Sequence, residues 1–137
     1  MRRGTIPAAQ ARGGYMKIVV REVRDLTVVD LNGKILIGEG DDLLRDTMLR
    51  LVEEEGKRRI LLNMAEVPYV DAAGLCEMVR SYTTVSKKGG RLGFVSVTKK
   101  ISDLLAITKL LTVFPVFATE EEALAKFREG EPAKASV

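Results

Sequence analysis

The sequence predicts an α/β domain: a mixed β-sheet, opened by an N-terminal hairpin and continued by parallel strands, with about four helices packed against it. Three observations predict it. The opening segment is dense in β-branched residues, a nearly continuous apolar run lies in mid-chain at Ile60-Leu61-Leu62-Asn63-Met64, and stretches with apolar residues three and four apart separate the strand-like segments. At 137 residues, 46% hydrophobic and 30% charged, the chain has the size and composition of one globular unit with a single core.

Lys17 to Val23 and Leu26 to Leu31 are β-branched segments broken at Arg24-Asp25, which reads as a hairpin. Asn32-Gly33 is a turn signal, because both residues tolerate positive φ, and Ile35-Leu36-Ile37 reads as a short extended stretch after it. Leu44, Met48, Leu51 and Val52 share one helical face, giving a first helix over roughly 41 to 55 with Gly56 as its stop. The run from Ile60 to Met64 suits a strand covered on both faces, the expected centre of the sheet.

Leu75, Met78, Val79, Tyr82 and Val85 mark a second helix to about Lys88, closed by Gly89-Gly90. Leu92 to Val97 is the next strand, Ile101, Leu104, Leu105 and Thr108 mark a third helix, and Val113 to Phe117 is the last strand. Pro115 has no N–H to give a ladder, so that strand belongs at an edge. Thr119 with Glu122 forms a capping-box signature for a final helix carrying Ala123, Leu124 and Phe127. The folded domain is therefore expected over 17–128. Residues 1–16 read as a disordered or non-native extension, and 129–137 as a flexible tail.

The formal charge of +3 belongs to the extension. Residues 1–16 hold Arg2, Arg3 and Arg12 and no acid, which leaves 19 basic residues against 19 acidic ones elsewhere. Without a clustered basic face a nucleic-acid role has no support, and no apolar run is long enough to span a bilayer. One cysteine, Cys76, rules out an internal disulfide and fits a cytoplasmic setting. The absence of histidine excludes imidazole triads and histidine metal sites, and Gly38-x-Gly40 lacks the third glycine of a dinucleotide loop. No enzyme, metal or cofactor is expected.

Asp41, Asp42 and Asp46 near a helix start read as dipole complements rather than a cation site. Glu53-Glu54-Glu55 and Lys57-Arg58-Arg59 read as solvated flanks of a turn, and Cys76 as a small packing residue. Asp71 stands where an N-cap belongs, followed by the small-residue turn Ala72-Ala73-Gly74. Small side chains let another surface approach closely. From these residues alone, a plain capped helix and a contact surface both remain open.

The stretch Ile60-Leu61-Leu62-Asn63-Met64-Ala65-Glu66-Val67-Pro68-Tyr69-Val70-Asp71-Ala72-Ala73-Gly74-Leu75 resembles the signature of STAS domains. There a strand ending in Leu-Asn or Leu-Asp leads to Asp-Ser-Ser/Ala-Gly-Leu at a helix start. Leu26 to Gly33 resembles the family's second strand and its Asn/Thr-Gly turn, Tyr82 to Gly90 its helix ending in Gly-Gly, and Ile101 to Phe117 its third helix and final strand. The likeness covers about residues 17 to 128, so a STAS-like sheet is implied.

It implies further a bacterial anti-sigma factor antagonist: a cytoplasmic, non-enzymatic partner-switching protein in transcription regulation that binds a kinase-type anti-sigma factor. The implied contact and switch region is Val70, Asp71, Ala72, Ala73, Gly74 and Leu75. In the family, phosphorylation of the first serine after the aspartate breaks the complex. Here that position is Ala72, which has no hydroxyl, so the phospho-switch does not carry over. Either binding is constitutive or control lies elsewhere. The family's wide reuse leaves an alternative, a ligand- or nucleotide-sensing or transporter-associated STAS module, and homodimerisation stays open.

Overall fold

The computed structural model describes residues 5–7 and 16–129. Its sheet has six strands whose spatial order repeats the chain order: β1 (Thr5–Pro7), β2 (Met16–Val23), β3 (Leu26–Gly33), β4 (Arg59–Glu66), β5 (Arg91–Val95) and β6 (Val116–Phe117). β1, β2 and β3 pair antiparallel, and β3 to β6 pair parallel, the mixed sheet expected. Parallel neighbours need crossovers, supplied by α1 (Gly40–Leu49), α2 (Ala72–Lys87) and α3 (Lys99–Ile107); α4 (Glu120–Glu129) follows the last strand.

The hairpin closes at Arg24-Asp25 as read, with Arg24 at φ 57°. Asn32-Gly33, in contrast, does not turn. Gly33 pairs with Met16, and Asn32 pairs with Lys17 on one side and Glu66 on the other, so ladders on both flanks override the local turn preference. The expected stretch at 35–37 reduces to a single bridge, Ile35 to Val70. Two parts of the 1–16 extension also belong to the sheet. Met16 is fully buried in β2, and Thr5–Pro7 pair with Val19 to Arg21. The rest of that extension, and the tail from 130 onward, lie outside the described residues.

α1 is shorter than read. It gives way to a wide π-helical turn over Arg50–Glu54, where Glu55 N–H donates to the Arg50 carbonyl at 3.0 Å, and Gly56 at φ 67° ends the helical stretch. The wider turn lets consecutive Leu51 and Val52 both face the core. β6 is shorter than the expected 113–117 because Leu110–Thr112 form a 3₁₀ turn ahead of it. It is an edge strand, and the Pro115 carbonyl accepts from Phe94 N–H at 2.9 Å. Thr119 caps α4: Glu122 N–H donates to Thr119 Oγ1 at 3.1 Å, while Glu122 Oε1 accepts from Ala118 N–H at 2.7 Å, one residue before the donor of a full capping box.

Alternation along β4 explains the apolar run. Ile60, Leu62 and Met64 face the layer made by α1, α2 and α3, where they meet Leu44, Met48, Met78, Val85, Ile101 and Leu105. Leu61 faces the other way, into a smaller cluster with Leu26, Val28, Val95 and the α4 residues Ala123, Leu124 and Phe127. Burying each large side chain stabilises the fold by about 1.5–3 kcal/mol, so this central strand carries much of the hydrophobic term. Asn63 shares the α4 face and donates to Asp30 at 2.7 Å. Arg21 spans Asp30 and Glu120 at 2.5 and 2.6 Å and so ties the hairpin to the start of α4. Among the described residues no helix is long and apolar enough to cross a membrane.

Candidate functional site

The start of α2 is built by Asp71. Its backbone is extended, φ −92° and ψ −174°, and its side chain accepts from Gly74 N–H at 2.8 Å, the N-cap read from sequence. The second carboxylate oxygen accepts from Ile37 N–H at 3.1 Å. Two main-chain bonds hold the same pair of segments together. Ile35 N–H donates to the Tyr69 carbonyl at 3.0 Å, and Asp71 N–H to the Ile35 carbonyl at 3.2 Å. One carboxylate therefore caps a helix and clamps the 35–37 loop across its entrance.

Gly74 makes the close approach possible. A Cβ at this position would lie 2.2 Å from the Ile35 carbonyl oxygen and 2.9 Å from the Val70 side chain. Only a bare Cα fits there. The six residues named from sequence thus divide by role. Val70 and Gly74 are buried, Leu75 is half-buried against the core, and Asp71 and Ala73 are half-buried. Ala72 is exposed at the tip of the turn.

The exposed surroundings are apolar. Ile37 is 71% exposed on the clamped loop, and Tyr69, 44% exposed, precedes the turn. Beside Tyr69 a groove of about 290 Å³ continues along α3 past Leu104 to Ile107, which is 77% exposed, and Lys100 Nζ lies 5.5 Å from the Tyr69 ring centre. Ile37, Tyr69 and Ile107 are not among the site residues that the sequence singled out. Tyr69 was within reach of it, as an aromatic beside an aspartate-led turn, but Ile37 looked like one more strand residue.

α2 is rotated relative to the face its apolar spacing indicated. The buried positions are Gly74, Glu77, Met78, Ser81 and Val85, while Val79 is 37% exposed. Cys76, read as a packing residue, is exposed. Ser81 is 1% exposed, and its Oγ has no hydrogen-bond partner among the described residues. Glu77 is 3% exposed, with Arg45 at 3.4 Å and Arg80 at 3.6 Å; burial raises its carboxyl above the ordinary value, against the pull of the two arginines.

The charged stretches do structural work. Asp42 pairs with Arg45 at 2.5 Å, Glu53 with Lys88 at 3.4 Å, Lys57 with Glu22 at 3.1 Å and Arg59 with Asp25 at 3.1 Å. Exposed pairs of this kind contribute little each.

Comparison with known proteins bears on the family and the fold. The family model described as STAS domain matches residues 17–123. An anti-sigma F factor antagonist of Paenibacillus polymyxa is 23% identical over 111 residues, 81% of this chain and 94% of that one. The crystal structure of an anti-sigma factor antagonist from Mycobacterium paratuberculosis superposes with a TM-score of 0.72 at 20% identity, covering 82% of this chain and 94% of that one. The same fold occurs within the murine Solute Carrier 26 family member A9 anion transporter, with a TM-score of 0.69 at 14% identity over 95% of this chain and 23% of that one.

Proposed function

Since the chain belongs to the STAS domain family, we propose that it is an anti-sigma factor antagonist that binds a kinase-type anti-sigma factor through the turn opening α2. One observation carries this reading: the Asp71 clamp holds Ala72 exposed at the tip of a rigid, small-residue turn, with Ile37 and Tyr69 beside it as apolar anchors. A preorganised turn of this kind loses little entropy on docking, and its anchors lie where a protein partner would close over them. On this reading the protein is a cytoplasmic binding protein without a catalytic role, a cofactor or a nucleic-acid partner.

The missing hydroxyl shapes the mechanism. A phosphoryl group on a serine at position 72 would bring about two negative charges and added bulk to the centre of such an interface. Ala72 cannot accept one. The proposed complex therefore forms and persists in the presence of ATP, and release depends on the partner or on competition.

The test is to mix the protein with kinase-type anti-sigma factors from its source, with and without ATP, and follow complex formation and phosphate incorporation. A complex indifferent to ATP, with no label on residues 70–75, is the expected result. Label mapped to that turn, or no complex with any such factor, overturns the proposal.

A further inference from the structure

We infer that the exposed face of α3 binds a second copy of this chain across a two-fold axis, each copy's Ile107 entering the other's groove beside Tyr69. Lys100, Leu104 and Ile107 fall three and four apart and share that face. Ile107 is 77% exposed, while Leu104 packs partly against the core. The groove of about 290 Å³ runs between Tyr69 and Leu104 and ends at Ile107, so a projecting apolar side chain and a concave apolar seat lie next to each other on one helix. That arrangement suits a second copy. When knob and seat share one surface, a two-fold axis lets each fill the other, and the contact closes at the dimer.

The charge on α3 selects the orientation. Lys99 and Lys100 occupy its first turn, where the helix dipole favours anions; that turn holds no acid, and the last turn holds no base. Lys99 pairs with Asp103 at 3.0 Å and Lys100 Nζ lies 5.5 Å from the Tyr69 ring centre, so neither is a bare charge. What separates the orientations is where the dipoles point. An antiparallel pair, with Ile107 of each copy opposite Leu104 of the other, brings both lysines toward the C-terminal end of the facing helix, where cations are favoured. A parallel pair would crowd the lysines of both copies together. α3 has 9 residues, and a contact built on so short a helix belongs to the small, weak class of interfaces. Tyr69 lines this surface and also flanks the turn proposed to bind an anti-sigma factor, so a chain in the dimer cannot offer it to that partner. Self-association then supplies a control that Ala72 cannot, a consequence that rests on the function proposed for the turn.

The test follows the full chain by sedimentation velocity and by ¹⁵N amide shifts from about 1 µM to about 1 mM, the range that brackets weak contacts. A monomer–dimer equilibrium is expected, with concentration-dependent shifts at Tyr69, Lys100, Leu104 and Ile107 and none at Ser86 or Gly90. Ile107→Lys places a cation where the dipole of its own helix favours it, so the melting temperature of the dilute chain should hold while the dimer weakens more than about tenfold. Lys100→Glu, an acid in the first turn, should also fold and weaken the dimer several-fold. A chain monomeric throughout, a dimer that Ile107→Lys leaves intact, or shifts centred away from α3 overturns the inference. These runs contain no other protein, so their failure leaves the proposed function standing. Adding an anti-sigma factor that binds should dissociate the dimer in the same runs, and a factor bound on the intact dimer overturns the competition.

Discussion

Asp71 accepts a hydrogen bond at 3.1 Å from the main chain of Ile37, a residue 34 positions earlier, with the same carboxylate that caps α2. Asp71→Ala removes both bonds and leaves two backbone donors to find water. A loss of about 1–3 kcal/mol is expected, measured as a lower urea midpoint with an unchanged slope. Binding to the proposed partner should fall further than this loss explains, because the 35–37 loop is released. A destabilisation under about 0.5 kcal/mol would show that the clamp contributes nothing.

Gly74→Ala reverses the usual helix rule. Alanine is normally the better helix former by about 1 kcal/mol. Here its Cβ would meet the Ile35 carbonyl at 2.2 Å, so α2 must shift or the 35–37 loop must leave. Destabilisation of more than about 2 kcal/mol is expected in chemical denaturation. A neutral or stabilising outcome would contradict the observed packing.

Ala72 permits a test that separates folding from binding. Ala72→Glu places an anion in the first turn of α2, where the helix dipole favours it by about 0.3–1 kcal/mol. The melting temperature should hold or rise while affinity for the proposed anti-sigma factor partner drops more than about tenfold. Ala72→Ser should fold normally and make the complex sensitive to ATP. If calorimetry shows unchanged affinity for the Glu variant, the α2 turn is not the interface.

Glu77 links stability to pH. Burial raises its folded-state pKa above the ordinary 4.5, Arg80 and Arg45 oppose the shift, and Asp41 adds to it. The folded protein thus holds this proton more tightly than the unfolded chain. The stabilisation it brings is complete below 4.5 and is lost as pH rises through the folded-state value. Glu77→Gln keeps the neutral form at every pH. Unfolding curves from about pH 4 to 7 should show the parent losing stability relative to the variant on the way up. Parallel curves would show that the two arginines cancel the burial cost.

Much of the fold was legible because its signals are local. Arg24-Asp25, the Ile60–Met64 run, the Asp71 cap, the Thr119–Glu122 cap and the edge position of Pro115 each follow from a few adjacent residues. What was illegible depends on distant segments. Asn32-Gly33 is extended because Met16, Lys17 and Glu66 pair with it. α2 turns Gly74, Glu77 and Ser81 inward, an arrangement of small and polar residues that apolar spacing cannot reveal. The candidate site was half-legible for the same reason. Asp71 announced the cap, but nothing near Ile37 in the chain announces that its N–H meets the Asp71 carboxylate.

The agreement between strand order and chain order in the sheet has a consequence for how the protein is made. Each strand, as it leaves the ribosome, adds to the outer edge of what has already formed, and none must be threaded between two earlier ones. Loop closure is confined to one crossover at a time, which favours vectorial assembly from the hairpin outward. The last edge laid down is β6, beside the parallel strand β5 that precedes it in the chain.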